Sequence, residues 1–274
     1  MNTEKKIQAV KDNIATRGSM IVAFSGGVDS ALLALLARET LGDRSRCVLL
    51  DSQVVPRSEV SDARVLAERY NLDLEILPVS VMEDERFIRN PAERCYFCRK
   101  NSAVVLKGKK DELGFACIAD GLNTSDMGEH RPGIVASTEE GIIHPFIEAG
   151  ITKDDIRAIA RERGYSFWNK PSAACLSSRI PYGEAITSGK LRMIEAAEAF
   201  LAGKGFSQFR VRMHGDIARI DVTGDEIPKI MKMRMELVKE LKLLGFRYGV
   251  LDLEGYRSGS MDEVLDREEP PGHN

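Results

Sequence analysis

No apolar run in this 274-residue chain reaches the length of a membrane span, which argues against a helical anchor. Positive charge is not in excess either: 39 Lys and Arg face 42 Asp and Glu, a net charge of −3. A nucleic-acid enzyme would usually carry a basic surface, so this balance argues against that class. Arg99, Lys100, Lys107, Lys109 and Lys110 do cluster in one segment, but they read as the solvated face of a helix. The first residues, Met1-Asn2-Thr3-Glu4-Lys5-Lys6, lack a signal-peptide apolar core and lead into an amphipathic helical pattern. A cytoplasmic location is therefore expected, and there the five cysteines are not expected to form disulfides. No internal repeat is visible. With 43% hydrophobic and 30% charged residues, the chain resembles an ordinary soluble protein of one large or two modest domains.

The strongest positive signal is Ser25-Gly26-Gly27-Val28-Asp29-Ser30. It follows the apolar run Met20-Ile21-Val22-Ala23-Phe24 and precedes an Ala/Leu-dense stretch at 31–37, a strand–loop–helix pattern. Its glycines let backbone N–H groups turn toward a ligand, and the helix start favours an anion there. Ser25 and Ser30 add hydroxyl donors, and Asp29 is placed to help hold Mg²⁺ against phosphate oxygens. The lysine that completes the common Gly-Lys-Ser/Thr nucleotide loop is missing. A lysine-free S-G-G-x-D-S instead resembles the PP-loop of ATP pyrophosphatases. The resemblance implies an enzyme that cradles the pyrophosphate of ATP, joins AMP to a substrate oxygen and releases pyrophosphate. Ser25, Gly26, Gly27, Asp29 and Ser30 would then bind ATP.

Strand candidates at 20–24, 46–51, 73–79 and 115–119 alternate with helical patterns near 30–41, 57–70, 98–107 and 152–164. This predicts an α/β fold with a doubly wound parallel sheet over residues 1–165. Ligands of such sheets bind beyond the carboxyl ends of the strands. The loop at 25–30, Asp51-Ser52-Gln53 and Gly121-Leu122-Asn123-Thr124 would share that edge, where ATP is expected. From 166 to 186 the periodicity stops, in a segment too long to be a mere connector. A helix at 187–204, strands at 208–213 and 217–222, a helix near 225–243 and a strand near 246–252 predict a smaller α+β domain over 187–260. The tail at 261–274 reads as disordered. In the first of these strands Arg210, Arg212 and His214 share one face. Two arginines on an exposed face would grip a phosphate or carboxylate; the alternative is a solvated face satisfied by Asp216 and Asp221.

Cys47 and Cys117 lie in apolar runs and are assigned to packing. Cys95 and Cys98 form one C-x-x-C, whose spacing suits two ligands of a metal centre or a redox pair. A zinc knuckle would need a second such pair, and neither His130 nor His144 shows ligand spacing. Three cysteines suit a [4Fe-4S] cluster held at three irons, the third ligand being Cys175 from the long loop.

Several motifs, in order along nearly the whole chain, resemble the LarE-type sulfur transferases. They are S-G-G-V-D-S, N-P-x-x-R-C-Y-F-C-x-K at 90–100, D-G-x-N at 120–123, R-P-G at 131–133, W-x-K-P-S-A-A-C-L-S-S-R-I-P-Y-G at 168–183, R-x-R-x-H-G-D at 210–216 and G-Y-R-S-G-S-M at 255–261. The resemblance implies an adenine-nucleotide α-hydrolase-like domain followed by a smaller domain that serves substrate binding and oligomerisation. It implies ATP- and Mg²⁺-dependent adenylylation of pyridinium-3,5-biscarboxylic acid mononucleotide and replacement of AMP by sulfur, en route to a nickel-pincer cofactor of the lactate racemase type. A homo-oligomer, often a hexamer, is implied as well. Some members sacrifice the sulfur of the cysteine matching Cys175; others add a C-x-x-C and hold a [4Fe-4S] cluster supplied by sulfide or another donor. With Cys95, Cys98 and Cys175 all present, the cluster-bearing type is expected here. Arg179, Arg210 and Arg212 are expected to bind the substrate's phosphate or carboxylates. A tRNA thiolase also pairs a PP-loop with three cysteines, but the acidic balance and the lack of a recognisable RNA-binding module disfavour it. A non-catalytic nucleotide sensor is disfavoured by the intact Asp29 and Cys175.

Overall fold

A computed structural model describes residues 3–128, 132–257, 259–263 and 265. His130, Arg131, Ser258 and the end of the expected tail, 266–274, lie outside the described residues. The apolar run before the glycine loop forms β1 (Met20–Ala23), flanked in a parallel sheet by β2 (Ser45–Asp51) and β4 (Cys117–Ala119). Outside β2 lies β3 (Leu74–Pro78), giving the order β3-β2-β1-β4.

The strand residues alternate between two buried faces. Met20, Val22, Cys47 and Leu49 enter one apolar cluster; Ile21, Val48 and Ile118 enter another. On the first face pack α1 (Thr3–Ala15), α2 (Val28–Leu41) and α3 (Arg57–Arg69), through Val10, Leu32 and Ala63 among others. Further along run α4 (Glu85–Ile88), α5 (Arg94–Leu113), α6 (Pro132–Glu139), α7 (Pro145–Glu148) and α8 (Lys153–Glu162). Ile156 and Ile159 bring α8 to the first face, whereas Ala103 and Leu106 bring α5 to the second. Helices thus cover both faces, the doubly wound arrangement that the sequence predicts.

The helix expected at 98–107 is longer. It begins at Arg94, so Cys95 as well as Cys98 is helical, both within its first five residues, and Gly114 closes it in the left-handed conformation at φ 64°. Its basic residues are also less solvated than expected. Lys100 and Lys107 pair with Glu140, and Lys109 is nearly buried between Glu75 and Glu112.

The chain divides into two compact units, Met1–Asp84 with Glu93–Ala174, and Glu85–Ala92 with Cys175–Asn274. The expected first domain therefore loses the short segment Glu85–Ala92, and the second unit opens at Cys175. In that second unit β5 (Phe209–His214) pairs antiparallel with β6 (Ile217–Val222), which pairs parallel with β7 (Tyr248–Leu251). Among the described residues four helices complete it: α4, carried in with Glu85–Ala92, α9 (Ser188–Gly203), α10 (Ile227–Lys232) and α11 (Arg234–Leu243). The single helix expected near 225–243 is split because the Met233 N–H is shared between the Lys229 and Ile230 carbonyls, tightening the turn out of the α ladder. Asn90, fully buried, donates to the carbonyls of Ile180 at 3.2 Å and Pro181 at 2.7 Å. Met261 is buried and Tyr182 donates to Asp262 at 2.7 Å, so order extends past the expected start of the tail.

Candidate active site

Between β1 and α2 the chain turns at Ser25-Gly26-Gly27. Gly26 has φ +72°, and a Cβ there would stand 2.7 Å from Ala63 Cβ of α3. Conformation and space both demand glycine. The two serines shape the loop: Ser25 Oγ and Ser30 Oγ lie 3.1 Å apart, the Ser25 N–H donates to Ser30 Oγ, and Ser30 Oγ donates to the Gly27 carbonyl. Gly27, the residue before α2, supplies no side-chain cap, which leaves first-turn N–H groups of the helix available to an anion.

Asp29, on that first turn, accepts from Lys153 Nζ at 2.5 Å through Oδ2, while its Oδ1 is buried with no partner among the described residues. The D-G-x-N turn after β4 packs directly on the same helix start: a Cβ at Gly121 would lie 2.8 Å from the Ser30 nitrogen. Beside it Asp120 binds His144 Nδ1 at 2.7 Å and the Leu122 N–H at 3.2 Å through Oδ1, and its Oδ2 is likewise orphaned. Ser52, just past β2, is buried with an orphaned Oγ. Three unsatisfied polar atoms thus follow β1, β2 and β4, at the carboxyl edge of the sheet. Buried polar atoms normally have partners, and their concentration here fits a polar ligand such as ATP with its divalent cation.

In the second unit Cys175 precedes a tight turn, Leu176–Arg179. The Cys175 carbonyl accepts from Ser178 Oγ at 2.8 Å and Arg179 Nη1 at 2.9 Å. Buried Arg179 reaches both carboxylate oxygens of Glu198 on α9, at 3.0 and 3.1 Å, and Glu198 also accepts the Val211 N–H. The arginine face of β5 is therefore not the exposed face that the sequence predicts. Arg212 is 6% exposed and donates to Asp221 Oδ2 at 2.5 Å, with Ser178 O a longer partner at 3.4 Å. Asp221, wholly buried, is shared with Arg219. Asp221 of β6, Ser178 of the turn after Cys175 and the Tyr256 ring occupy this face, which is why it is not solvated. Arg210 differs: it lies over the Tyr256 ring at 5.2 Å and pairs with no carboxylate among the described residues. Burial, reinforced by the charge of Arg179, lowers its pKa. Burial also pushes the His214 imidazole below its ordinary range, with Arg219 adding to the effect.

Cys95 and Cys98 stand one turn apart on the same side of α5, at the end where the helix dipole favours negative charge. They belong to the first unit and Cys175 to the second. Among the described residues no three His, Cys, Asp or Glu side chains form a metal-holding group. Cys47 is buried and its thiol is pushed up to about 12 by desolvation, in keeping with packing; Cys117, partly buried, is raised for the same reason. Sequence reasoning passed over Lys153, Glu198 and the pairing of Asp120 with His144. Asp120 was signalled by D-G-x-N, whereas the other three carried no local signal.

A family model described as NAD synthase matches residues 3–93, which include the glycine loop. An uncharacterized protein of Synechocystis is 35% identical over 266 residues, covering 96% of this chain and 99% of its own. The pyridinium-3,5-bisthiocarboxylic acid mononucleotide synthase of Lactiplantibacillus plantarum is 35% identical over 247 residues, 90% of each chain. An uncharacterized protein of Methanocaldococcus jannaschii is 32% identical over 257 residues, 93% of this chain and 98% of its own. A shared glycine loop alone would allow many PP-loop enzymes, but likeness along both units to the Lactiplantibacillus synthase does not, and this chain belongs to that synthase's family, the LarE-type PP-loop sulfur transferases.

Proposed function

We propose that this chain is an ATP-dependent sulfur transferase. It adenylylates the carboxylates of pyridinium-3,5-biscarboxylic acid mononucleotide and replaces AMP by sulfur, giving thiocarboxylates for a nickel-pincer nucleotide cofactor. The observation that carries this reading is the likeness to the Lactiplantibacillus synthase over 90% of both chains. The chemistry is coherent. A carboxylate is a poor acyl donor, so its oxygen first takes AMP from ATP; a sulfur nucleophile then attacks the acyl carbon and AMP leaves with the bonding electrons. Ser25, Gly26, Gly27, Asp29 and Ser30 are proposed to hold ATP, with Asp29 on Mg²⁺. Arg210 is proposed to bind the substrate's anionic groups, with Arg179 and Arg212 ordering the turn after Cys175. Incubation with ATP, Mg²⁺ and the mononucleotide should release pyrophosphate and yield thiocarboxylate detectable by mass; neither product from reconstituted protein would refute the reading.

Cys95, Cys98 and Cys175 are further proposed to ligate a [4Fe-4S] cluster. The donor set is three soft thiolates, two of them on one helical face, which suits such a cluster. Bound there, it would supply sulfur obtained from sulfide or another donor, leaving Cys175 intact. Anaerobic reconstitution should then give about four irons per chain. Alanine at any of the three positions should lower iron retention, while Mg·ATP binding persists. If Cys175 is instead sacrificed, turnover of iron-free protein removes about 34 Da as it becomes dehydroalanine. We also propose a cytoplasmic homo-oligomer. Its support within the second unit is the exposure of Met235, Leu243, Tyr248 and Leu253, apolar side chains that an interface would cover. Light scattering gives the stoichiometry, and a monomer at working concentration would refute it.

A further inference from the structure

The arginines around β5 divide the carboxylates of the second unit unevenly. Arg179 holds Glu198, and Arg212 and Arg219 share Asp221. Arg210 stands opposite Asp221 in the β5–β6 register, yet that carboxylate goes to the other two. Its guanidinium turns back on its own strand, donating to the Phe209 carbonyl at 2.6 Å, and lies over the Tyr256 ring at 5.2 Å. An aromatic face attracts a cation but does not neutralise it. Burial, with Arg179 nearby, already works against the charge on Arg210. One positive charge is left over in this part of the unit, and a ring lies against it.

The ring is held from the backbone upward. The Tyr256 N–H donates to the Val222 carbonyl at 2.8 Å, at the last residue of β6. Gly255, just before it, has φ +75°, and a Cβ there would stand 2.8 Å from that same carbonyl. The close approach that seats Tyr256 therefore requires glycine. Arg210 and Tyr256 are both half-buried, so the pair is fixed at its base and still open to a ligand.

We infer that Tyr256 is a specificity-determining residue, its ring face receiving the cationic pyridinium of the substrate while Arg210 takes an adjoining carboxylate. The inference rests on the reading of the pyridinium mononucleotide as substrate. A pyridinium that bears a carboxylate is a planar, delocalised cation beside an anion. The Arg210–Tyr256 pair is its complement, a planar cation beside an aromatic face. On binding, the carboxylate supplies the counter-charge that Arg210 lacks, and the pyridinium replaces the guanidinium as the cation on the ring. A neutral ring of the same outline would satisfy Arg210 and gain nothing from the charge-seeking face of Tyr256. The residue thereby separates the oxidised, cationic ring from its reduced form.

Titration calorimetry without ATP, so that nothing turns over, compares the mononucleotide with its 1,4-dihydro form. Both carry the same carboxylates and phosphate; the added hydride removes the ring charge. Tyr256→Leu should weaken the pyridinium form about three- to tenfold more than the dihydro form, the range of a cation on an aromatic face. Tyr256→Phe keeps the face and should hold the ratio of the two affinities within about twofold of wild type. If the leucine variant fails to fold, fluorinated phenylalanines at position 256 keep the ring's shape while drawing electrons from its face. They should lower pyridinium affinity stepwise with fluorine number. Equal losses for both forms, or unchanged affinities, would overturn the inference alone and leave Tyr256 as a cover for Arg210. A wild-type protein that binds neither form would overturn the substrate reading with it.

Discussion

Arg210 and Arg212 are two positions apart on one strand, yet their surroundings give them opposite tasks. Removing Arg212 strands the buried Asp221 with only the longer Arg219 contact. Arg212→Ala should therefore destabilise the protein by about 3 kcal/mol in urea unfolding, since an uncompensated buried charge is expensive. Arg210 has no carboxylate to strand, so Arg210→Ala should leave the unfolding midpoint near wild type. It should weaken binding of the mononucleotide by about 1.5–3 kcal/mol, the range of a charged hydrogen bond. His214 shares the strand face of these arginines. Burial lowers its pKa below 6.5, so the unfolded chain takes up the proton first. Stability should fall as pH drops through 6.5, level off below the folded value, and lose this dependence in His214→Asn.

At the scale of elements, the nucleotide site depends on close approach between backbone segments. A Cβ at Gly121 would meet backbone atoms of Asp29 and Ser30, which cannot yield as a flexible side chain can. Gly121→Ala should displace the first turn of α2 and reduce Mg·ATP affinity at least about tenfold, a loss of about 1.4 kcal/mol. Far-UV circular dichroism should be nearly unchanged, because the apolar faces of the sheet are untouched. Strand, loop and helix around residues 20–41 were legible because their signals are local: apolar residues, two glycines and a dense Ala/Leu run. Lys153 and the pairing of His144 with Asp120 were not, since each depends on which elements a parallel sheet brings side by side. The arginines of β5 were misread for a related reason. Alternation along a strand reveals that Arg210 and Arg212 share a face, but not that Asp221, Ser178 and Tyr256 will occupy it.

For the molecule as a whole, the boundary between the compact units does not follow the order of the chain. Glu85–Ala92 leaves the first unit to complete the second, carrying buried Phe87 and Asn90. A fragment of residues 175–274 lacks the side chain that binds the Ile180 and Pro181 carbonyls. Expressed alone, it should show poorly protected amides in hydrogen exchange, and residues 85–92 fused ahead of it should restore protection. Equal protection with and without the added residues would show that the excursion is dispensable.

The same excursion constrains how the protein acquires its structure during synthesis. Asn90 leaves the ribosome some 90 residues ahead of the carbonyls it must satisfy. The first sheet has all four strands by residue 119, long before that partner exists, so its assembly must tolerate an eight-residue excursion with an uncovered phenylalanine. Closing such a distant contact is slow compared with forming neighbouring helices. The sole tryptophan, Trp168, belongs to the first unit and so reports on that unit's folding alone. In refolding from urea, its fluorescence should recover in a fast phase, while the ellipticity that both units share lags behind until the distant segment is captured.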